Sequence, residues 1–150
     1  MEYSSSADKI TRDFFDSLLI ESRYLDSGIP STKLEIFGQT FNTPIMTAAL
    51  SHLGSKGKDS ASFIEHPATS GMIVYASAAA KSNTLHWVGM GDDQELEDII
   101  ATGAKTIKII KPHEDNAEVL RKINHAVGAG CIAVGMDIDH AFNANGGYDN

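Results

Sequence analysis

Four short apolar runs, separated by segments with other patterns, restrict this chain to a small number of folds. The runs cover Pro44–Ala49, Met72–Ala76, Lys105–Lys111 and Cys131–Ile138. Strands that are apolar along nearly their whole length are buried on both faces, which is typical of a parallel sheet covered by helices. The alternation of these runs with helical segments therefore predicts an α/β protein with four parallel strands.

The segments between the runs carry helix signals. Asp92 is followed three residues later by Glu95, which predicts a capping box at the start of a helix. Asp115 begins a further helix, whose inner face is predicted to consist of Val119, Leu120, Ile123, Ala126 and Val127. A short helix is also predicted over Asp59–Ser70, ahead of the second run.

The chain ahead of the first run predicts a helix and a hairpin. Apolar residues recur at helical spacing over residues 7–21, and Ser6 is available as the N-cap. Lys33–Phe37 alternates in polarity, Gly38 and Gln39 form a turn, and Thr40–Phe41 alternates back. Such a hairpin leads the chain into the first strand and suits the closure of the bottom of a barrel.

Two architectures fit this order of elements. One is an open doubly wound sheet, and the other is the first half of a TIM (β/α)8 barrel. A dinucleotide-binding G-x-G-x-x-G sequence is missing after the first run, where Ala48–Gly54 stands. In both architectures ligands bind at the carboxyl ends of the strands. We therefore expect the site beside the small and polar residues that end the runs.

Composition narrows the class of protein. The net charge of −8 argues against non-specific nucleic-acid binding, which requires a basic face. The N-terminus lacks the apolar segment of a signal peptide, and no apolar run approaches the roughly 20 residues that span a bilayer. The single cysteine, Cys131, suits a reducing compartment. We expect one cytoplasmic domain, residues 1–150, that binds neither nucleic acid nor membranes.

Four segments taken together resemble the FMN-dependent α-hydroxy-acid dehydrogenases and oxidases, the family of glycolate oxidase and lactate oxidase. They are Phe37–Ala49, Gly71–Ser77, Asp92–Gly103 and Ile132–Asp137, in the order and spacing found in that family. The resemblance implies a TIM (β/α)8 barrel, of which this chain forms about the first four strands. It also implies FMN as the cofactor and a small 2-hydroxy acid, similar to lactate or glycolate, as the substrate.

The resemblance assigns residues to the cofactor one at a time. The backbone of the first strand end should lie along the flavin ring, a serine should contact its pyrimidine side, and a lysine should stand near its N1–O2 edge. Gly135 occupies the position of a threonine in the family. The implied contacts are Ala48, Ala49, Leu50, Ser77, Lys108 and Gly135, with Lys111 as the alternative to Lys108 if the alignment slips by one residue.

The resemblance places no catalytic residue on this chain. The family's substrate tyrosine and arginine have no counterpart, and its catalytic histidine and flavin-activating lysine belong to the second half of the barrel. An FMN-dependent oxidoreductase is therefore expected only when a C-terminal half completes the barrel. The alternative is an inactive half-barrel, which acts as a structural module, forms homo-oligomers or is completed by a partner.

A third hypothesis is a metal-dependent barrel hydrolase. Its ligands would be His52, Asp137, Asp139 and His140, which stand at or after the ends of predicted strands. Histidine and carboxylate are common ligands of catalytic metals, although the spacing here is not diagnostic of a particular metal site.

Overall fold

The computed structural model describes residues 6–22, 24–53 and 70–138. The chain divides into two compact units, Met1–Ser31 and Thr32–Asn150. The first unit contains helix α1, Ser6–Ser17, whose residues are all exposed. The predicted N-terminal helix is thus confirmed, but it ends at Ser17 rather than at residue 21.

The second unit begins with the predicted hairpin. Strand β1, Leu34–Ile36, pairs antiparallel with β2, Gln39–Phe41. The two residues between them, Phe37 and Gly38, both have positive φ values of 51° and 68°. A two-residue turn with this handedness matches the natural twist of the paired strands, which explains the tight connection.

Three parallel strands form the sheet of this unit. They are β3, His86–Val88, β4, Thr106–Ile110, and β5, Ala133–Met136, and they lie in the order β3-β4-β5. Leu50 adds one parallel bridge to Val88 at the outer edge of β3. In the described part of the chain the strand order therefore follows the sequence without the reversal of a doubly wound sheet. This order is that of consecutive barrel strands.

Three helices cover this sheet: α2, Gly71–Ser82, α3, Asp93–Ala101, and α4, Asn116–Ala129. The predicted N-caps are confirmed, because Asp92 accepts a hydrogen bond from the Glu95 amide and Asp115 accepts one from the Ala117 amide. The predicted inner face of α4 is partly wrong, since Leu120 is 59% exposed and Val127 is 62% exposed.

The predicted strand Met72–Ala76 is wrong, because these residues lie in α2. The Ser70 hydroxyl accepts a hydrogen bond from the Met72 amide, and Asn83 ends the helix in the left-handed conformation. Alanines in the second half of α2 favour a helix, and a short apolar run alone does not distinguish a strand from a buried helix. The strand in this repeat is β3, which comes after α2.

The predicted first strand over Pro44–Ala49 is also wrong. Only Leu50 forms a β-bridge, and the segment ahead of it runs beside β3 without a regular ladder. Pro44 has no amide hydrogen to donate to such a ladder. The helix predicted over Asp59–Ser70 lies outside the described residues except for Ser70, which caps α2 instead.

The side chains of the sheet alternate between two separate cores. On one face Val88 and Val134 pack with Met72, Leu96, Ile99 and Ala126 of the covering helices. On the opposite face, here called the inner face, Trp87, Ile107, Ile109 and Ala133 pack with residues of the hairpin and with Leu85. This alternation is the pleat of a parallel sheet buried on both sides.

The hairpin closes the amino-terminal end of the inner face. Phe41 is fully buried there against Leu85 and Ile107, which lie at the starts of β3 and β4. The same inner face extends towards the carboxyl ends of the strands. The predicted bottom closure is therefore confirmed, and it leaves the carboxyl-terminal end for a ligand. None of the described helices is long and apolar enough to cross a membrane.

Phe41→Ala should lower the free energy of unfolding by about 3–5 kcal/mol, because it opens a cavity between the hairpin and the sheet. Phe37→Ala is the matched control, since Phe37 lies in the same hairpin but is 52% exposed. Urea unfolding followed by circular dichroism measures both variants. Equal stability losses in the two would contradict the role given to Phe41.

Candidate functional site

The open part of the inner face is built by small and apolar residues. Ile109 and Gly135 are paired across β4 and β5 and point to this face, as does Trp87 one strand away. A Cβ atom on Gly135 would lie 2.6 Å from Ile109 Cδ1, so the side chain of Ile109 extends over the glycine. The result is an apolar surface towards the carboxyl ends of the strands.

The segment Thr47–Ser51 borders this surface, and β3 holds it in place. The Thr47 amide donates to the Leu85 carbonyl at 3.1 Å, and the Trp87 amide donates to the Thr47 hydroxyl at 2.8 Å. At the other end the Gly89 amide donates to the Leu50 carbonyl at 2.8 Å. These bonds replace the ladder of a regular strand and fix the segment at both of its ends.

The predicted cofactor contacts Ala48, Ala49 and Leu50 are brought together here, and all three are exposed. Two of their amides are already engaged: Ala48 N donates to the Tyr75 hydroxyl and Leu50 N to the Ala48 carbonyl, both at 2.9 Å. Within the described residues the Ala49 amide has no hydrogen-bond partner. Ala49 is therefore the position in this stretch that retains a backbone donor for a ligand.

Gly89 is a site residue that the sequence interpretation missed. A Cβ atom at this position would lie 2.3 Å from Ser51 Oγ and 3.0 Å from the carbonyl oxygens of Ala49 and Leu50. The Met90 amide also donates to Ser51 Oγ at 2.7 Å. Only glycine permits this close approach of the two backbones. No local pattern in the sequence indicates this close approach, because Gly89 follows a three-residue strand that no apolar run marks.

Lys108, a predicted cofactor contact, points away from the inner face. It is paired with Val88 and Val134, which both pack against the helices. Its side chain is 7% exposed, and Nζ donates to the Gly89 carbonyl at 2.6 Å. Burial lowers the pKa of the Lys108 ammonium, and the positive charge of Lys122 lowers it further. The preferred alignment register thus put the lysine on the wrong face.

Ser77 is not at a strand end either, because it lies in α2. Its assignment to a cofactor rested partly on that position and loses this support. Lys111 directly follows β4 and lines a cavity of about 190 Å³ together with Lys108, Lys122 and His113. The alternation of β4 alone therefore does not assign Lys111 to the inner face.

The metal hypothesis gains no support from the described residues. Among them no group of three or more histidine, cysteine or carboxylate side chains is placed to hold an ion. His52 is exposed and has a positive φ of 57°, while Asp139 and His140 lie outside the described part of the chain.

His86 is a second residue that the sequence interpretation missed. Its side chain is fully buried, with Nδ1 2.9 Å from the Thr47 hydroxyl and the ring edge-to-face with Tyr75. Within the described residues Nε2 is buried without a hydrogen-bond partner. Burial lowers the pKa of His86 from 6.5 to about 4. The neutral ring thus supports Thr47 and Tyr75, which in turn hold the segment Thr47–Ser51.

Stability should fall as the pH drops from about 6.5 to about 4, because the unfolded chain binds a proton at His86 more readily than the folded chain does. The loss from this group is about 3 kcal/mol and is complete below pH 4. His86→Asn keeps a polar contact to Thr47 but does not titrate, so the wild-type-minus-variant difference in urea unfolding isolates the effect. A wild-type-minus-variant difference that is constant with pH would refute it.

Comparisons of the sequence and of the fold with known proteins point to the same family. The sequence profile of the family described as FMN-dependent dehydrogenase matches residues 4–149. A solved structure of mandelate oxidase with 3,3-difluoro-2-hydroxy-3-phenylpropionic acid is 23% identical, with a TM-score of 0.68, and the match covers 87% of this chain. A mandelate oxidase variant with (S)-mandelic acid is 24% identical, with a TM-score of 0.66 over 85% of this chain. Among curated proteins none matches.

A third solved structure, a mandelate oxidase variant with a monooxide FMN adduct, is 23% identical, with a TM-score of 0.61 over 75% of this chain. These matches cover 37%, 35% and 32% of the mandelate oxidase chains. This chain therefore spans about a third of the length of the structures it resembles. The fold is that of part of a TIM barrel, which confirms the predicted architecture and excludes the open doubly wound sheet.

Proposed function

Because the chain belongs to the FMN-dependent dehydrogenase family, whose cofactor is FMN, we propose that it forms the first part of an FMN-binding barrel. The complete barrel would be an oxidoreductase that acts on a small 2-hydroxy acid. FMN, when bound, supplies a two-electron acceptor for the oxidation of the hydroxyl-bearing carbon. The task of this chain is then to bind one side of the flavin and to keep it in position.

One observation carries this proposal: the inner face is closed at its amino-terminal end and is apolar towards its carboxyl-terminal end. The closed end is filled by Phe41, and the remaining surface includes Ile109 and Gly135. An aromatic ring system stacks favourably on such a surface, since pockets for cofactors are mostly apolar with a few placed polar groups. The strand ends are also where barrels of this type bind their ligands.

We propose fewer cofactor contacts than the resemblance implies. Ala49 supplies a backbone donor, and Ala48 and Leu50 supply exposed apolar surface beside it. Gly135 contributes indirectly, because its missing side chain leaves the space on β5 that the side chain of Ile109 occupies. Ser77 is not included, because it lies in α2. Lys108 is not included, because it lies on the helix-facing side of β4.

The unpaired edge of β5 helps to decide between a part of a complete barrel and an inactive half-barrel. In the described part of the chain no strand pairs with β5 on the side away from β4. Met136 at the end of β5 is also substantially exposed. An open edge of this kind promotes pairing with further strands. We propose that additional strands, from the same protein or from a second chain, complete the barrel and bring the catalytic groups.

Ala49→Phe should weaken FMN binding about tenfold or more, because the phenylalanine ring would occupy the proposed space of the cofactor and displace the Ala49 amide. Ala78→Phe is the control, since Ala78 is exposed on α2, one of the helices that cover the face of the sheet opposite the inner face. Titration of FMN, followed by quenching of its fluorescence, measures the affinities. Wild-type protein that leaves FMN fluorescence unchanged would contradict the proposal itself.

A further inference from the structure

The buried lysine of β4 needs an explanation that the cofactor does not supply. Lys108 lies in the layer between the sheet and the helices, paired with two valines and only 7% exposed. Removing an ammonium group from water is costly unless the protein offers it partners. A lysine that served only to fill this core would be less favourable than a methionine or leucine of similar size.

The ammonium group is directed at one peptide unit. Lys108 Nζ donates to the Gly89 carbonyl at 2.6 Å, and within the described residues this is its one hydrogen bond. Gly89 is itself buried, so its carbonyl oxygen has little access to water. A hydrogen bond from a charged donor is among the stronger bonds that a buried carbonyl can accept.

Gly89 transmits this restraint to the segment Thr47–Ser51. Its amide donates to the Leu50 carbonyl at 2.8 Å, and the next amide, of Met90, donates to Ser51 Oγ at 2.7 Å. The absence of a side chain at Gly89 allows the two backbones to meet at this distance. Lys108 and Leu50 therefore hold the same residue, Gly89, from opposite sides.

The charges around Lys108 are mixed. Lys122 on α4 opposes its positive charge, whereas the carboxylates of Glu95 and Asp93 on α3 favour it. Burial is the largest influence and lowers the pKa of Lys108. The neighbouring charges therefore do not explain why a lysine is buried here. The hydrogen bond to the Gly89 carbonyl is the contact that a lysine makes and an apolar side chain could not make.

We propose that Lys108 is a positioning residue of the flavin site: it fixes Gly89, and through Gly89 the Leu50–Ser51 backbone, without touching the cofactor. This inference rests on the proposed function for its effect on FMN, but the mechanical link is a property of the apoprotein. It reverses the role that the resemblance gave to this lysine, from direct contact on the inner face to support from the opposite face.

Lys108→Met separates positioning from folding. The variant loses a buried charge, which favours stability, and leaves the Gly89 carbonyl without its donor, which opposes it. We expect a Tm within about 4 °C of the wild type, since the two effects are of similar size. FMN affinity should fall about tenfold, and the amide hydrogens of Gly89 and Met90 should exchange faster with deuterium.

The matched control is Lys105→Met, which removes the same charge from an exposed position just before β4. It should leave FMN affinity and amide exchange unchanged. Lys108→Gln retains a hydrogen-bond donor and should fall between the wild type and Lys108→Met in both measurements. This variant also provides a second test if the methionine variant is difficult to purify.

Three results would overturn the proposal. The first is exchange at Gly89 and Met90 that stays at the wild-type rate in both Lys108 variants. The second is a fall in affinity that occurs equally in Lys105→Met, and the third is loss of the fold in both Lys108 variants. If the wild type binds no FMN, the proposed function fails, but amide exchange in the apoprotein still decides whether Lys108 holds Gly89.

Discussion

The pleat of the parallel sheet, buried on both faces, is the constraint on which the rest of this structure depends. It sends Val88 and Val134 into the core beneath the helices and sends Trp87 and Ile109 to the inner face. The hairpin then fills one end of that inner face through Phe41. A ligand that uses the inner face is thereby directed to the carboxyl ends of the strands, where the Thr47–Ser51 segment runs.

Those parts of the fold with local signals could be predicted from the sequence. The caps at Asp92 and Asp115 and the hairpin are encoded by a few neighbouring residues. The caps were correctly placed, whereas the hairpin turn lies at Phe37 and Gly38, one residue before the predicted Gly38 and Gln39. The assignment of Met72–Ala76 failed because an apolar run of five residues has no periodicity that separates a strand from a buried helix. The strand that takes its place, β3, has only three residues and begins with a histidine, so it has no apolar run to mark it.

Only some residues of the proposed site carry a signal in the neighbouring sequence. The small residues Ala48 and Ala49 were recognisable in the sequence, because they end an apolar run. The residues that hold them in place, Tyr75, His86 and Gly89, act through contacts between distant parts of the chain. Burial of His86 against Thr47 in particular depends on which face of β3 meets α2, and no local pattern specifies that.

Lys108 shows how strand register changes the chemical meaning of a residue. A shift of one position exchanges every side chain between the inner face and the helix layer. The pairing of Lys108 with Val88 places its charge beneath the helices, so the inner face of β4 consists of Ile107 and Ile109 and carries no charged group. Under the proposed function, polar contacts from the inner face of β4 and the neighbouring segment to a flavin would come from backbone amides, which the short alanine side chains leave accessible. In the segment Thr47–Ser51, Ala49 offers such an amide, since its N–H has no partner among the described residues and the residue is exposed.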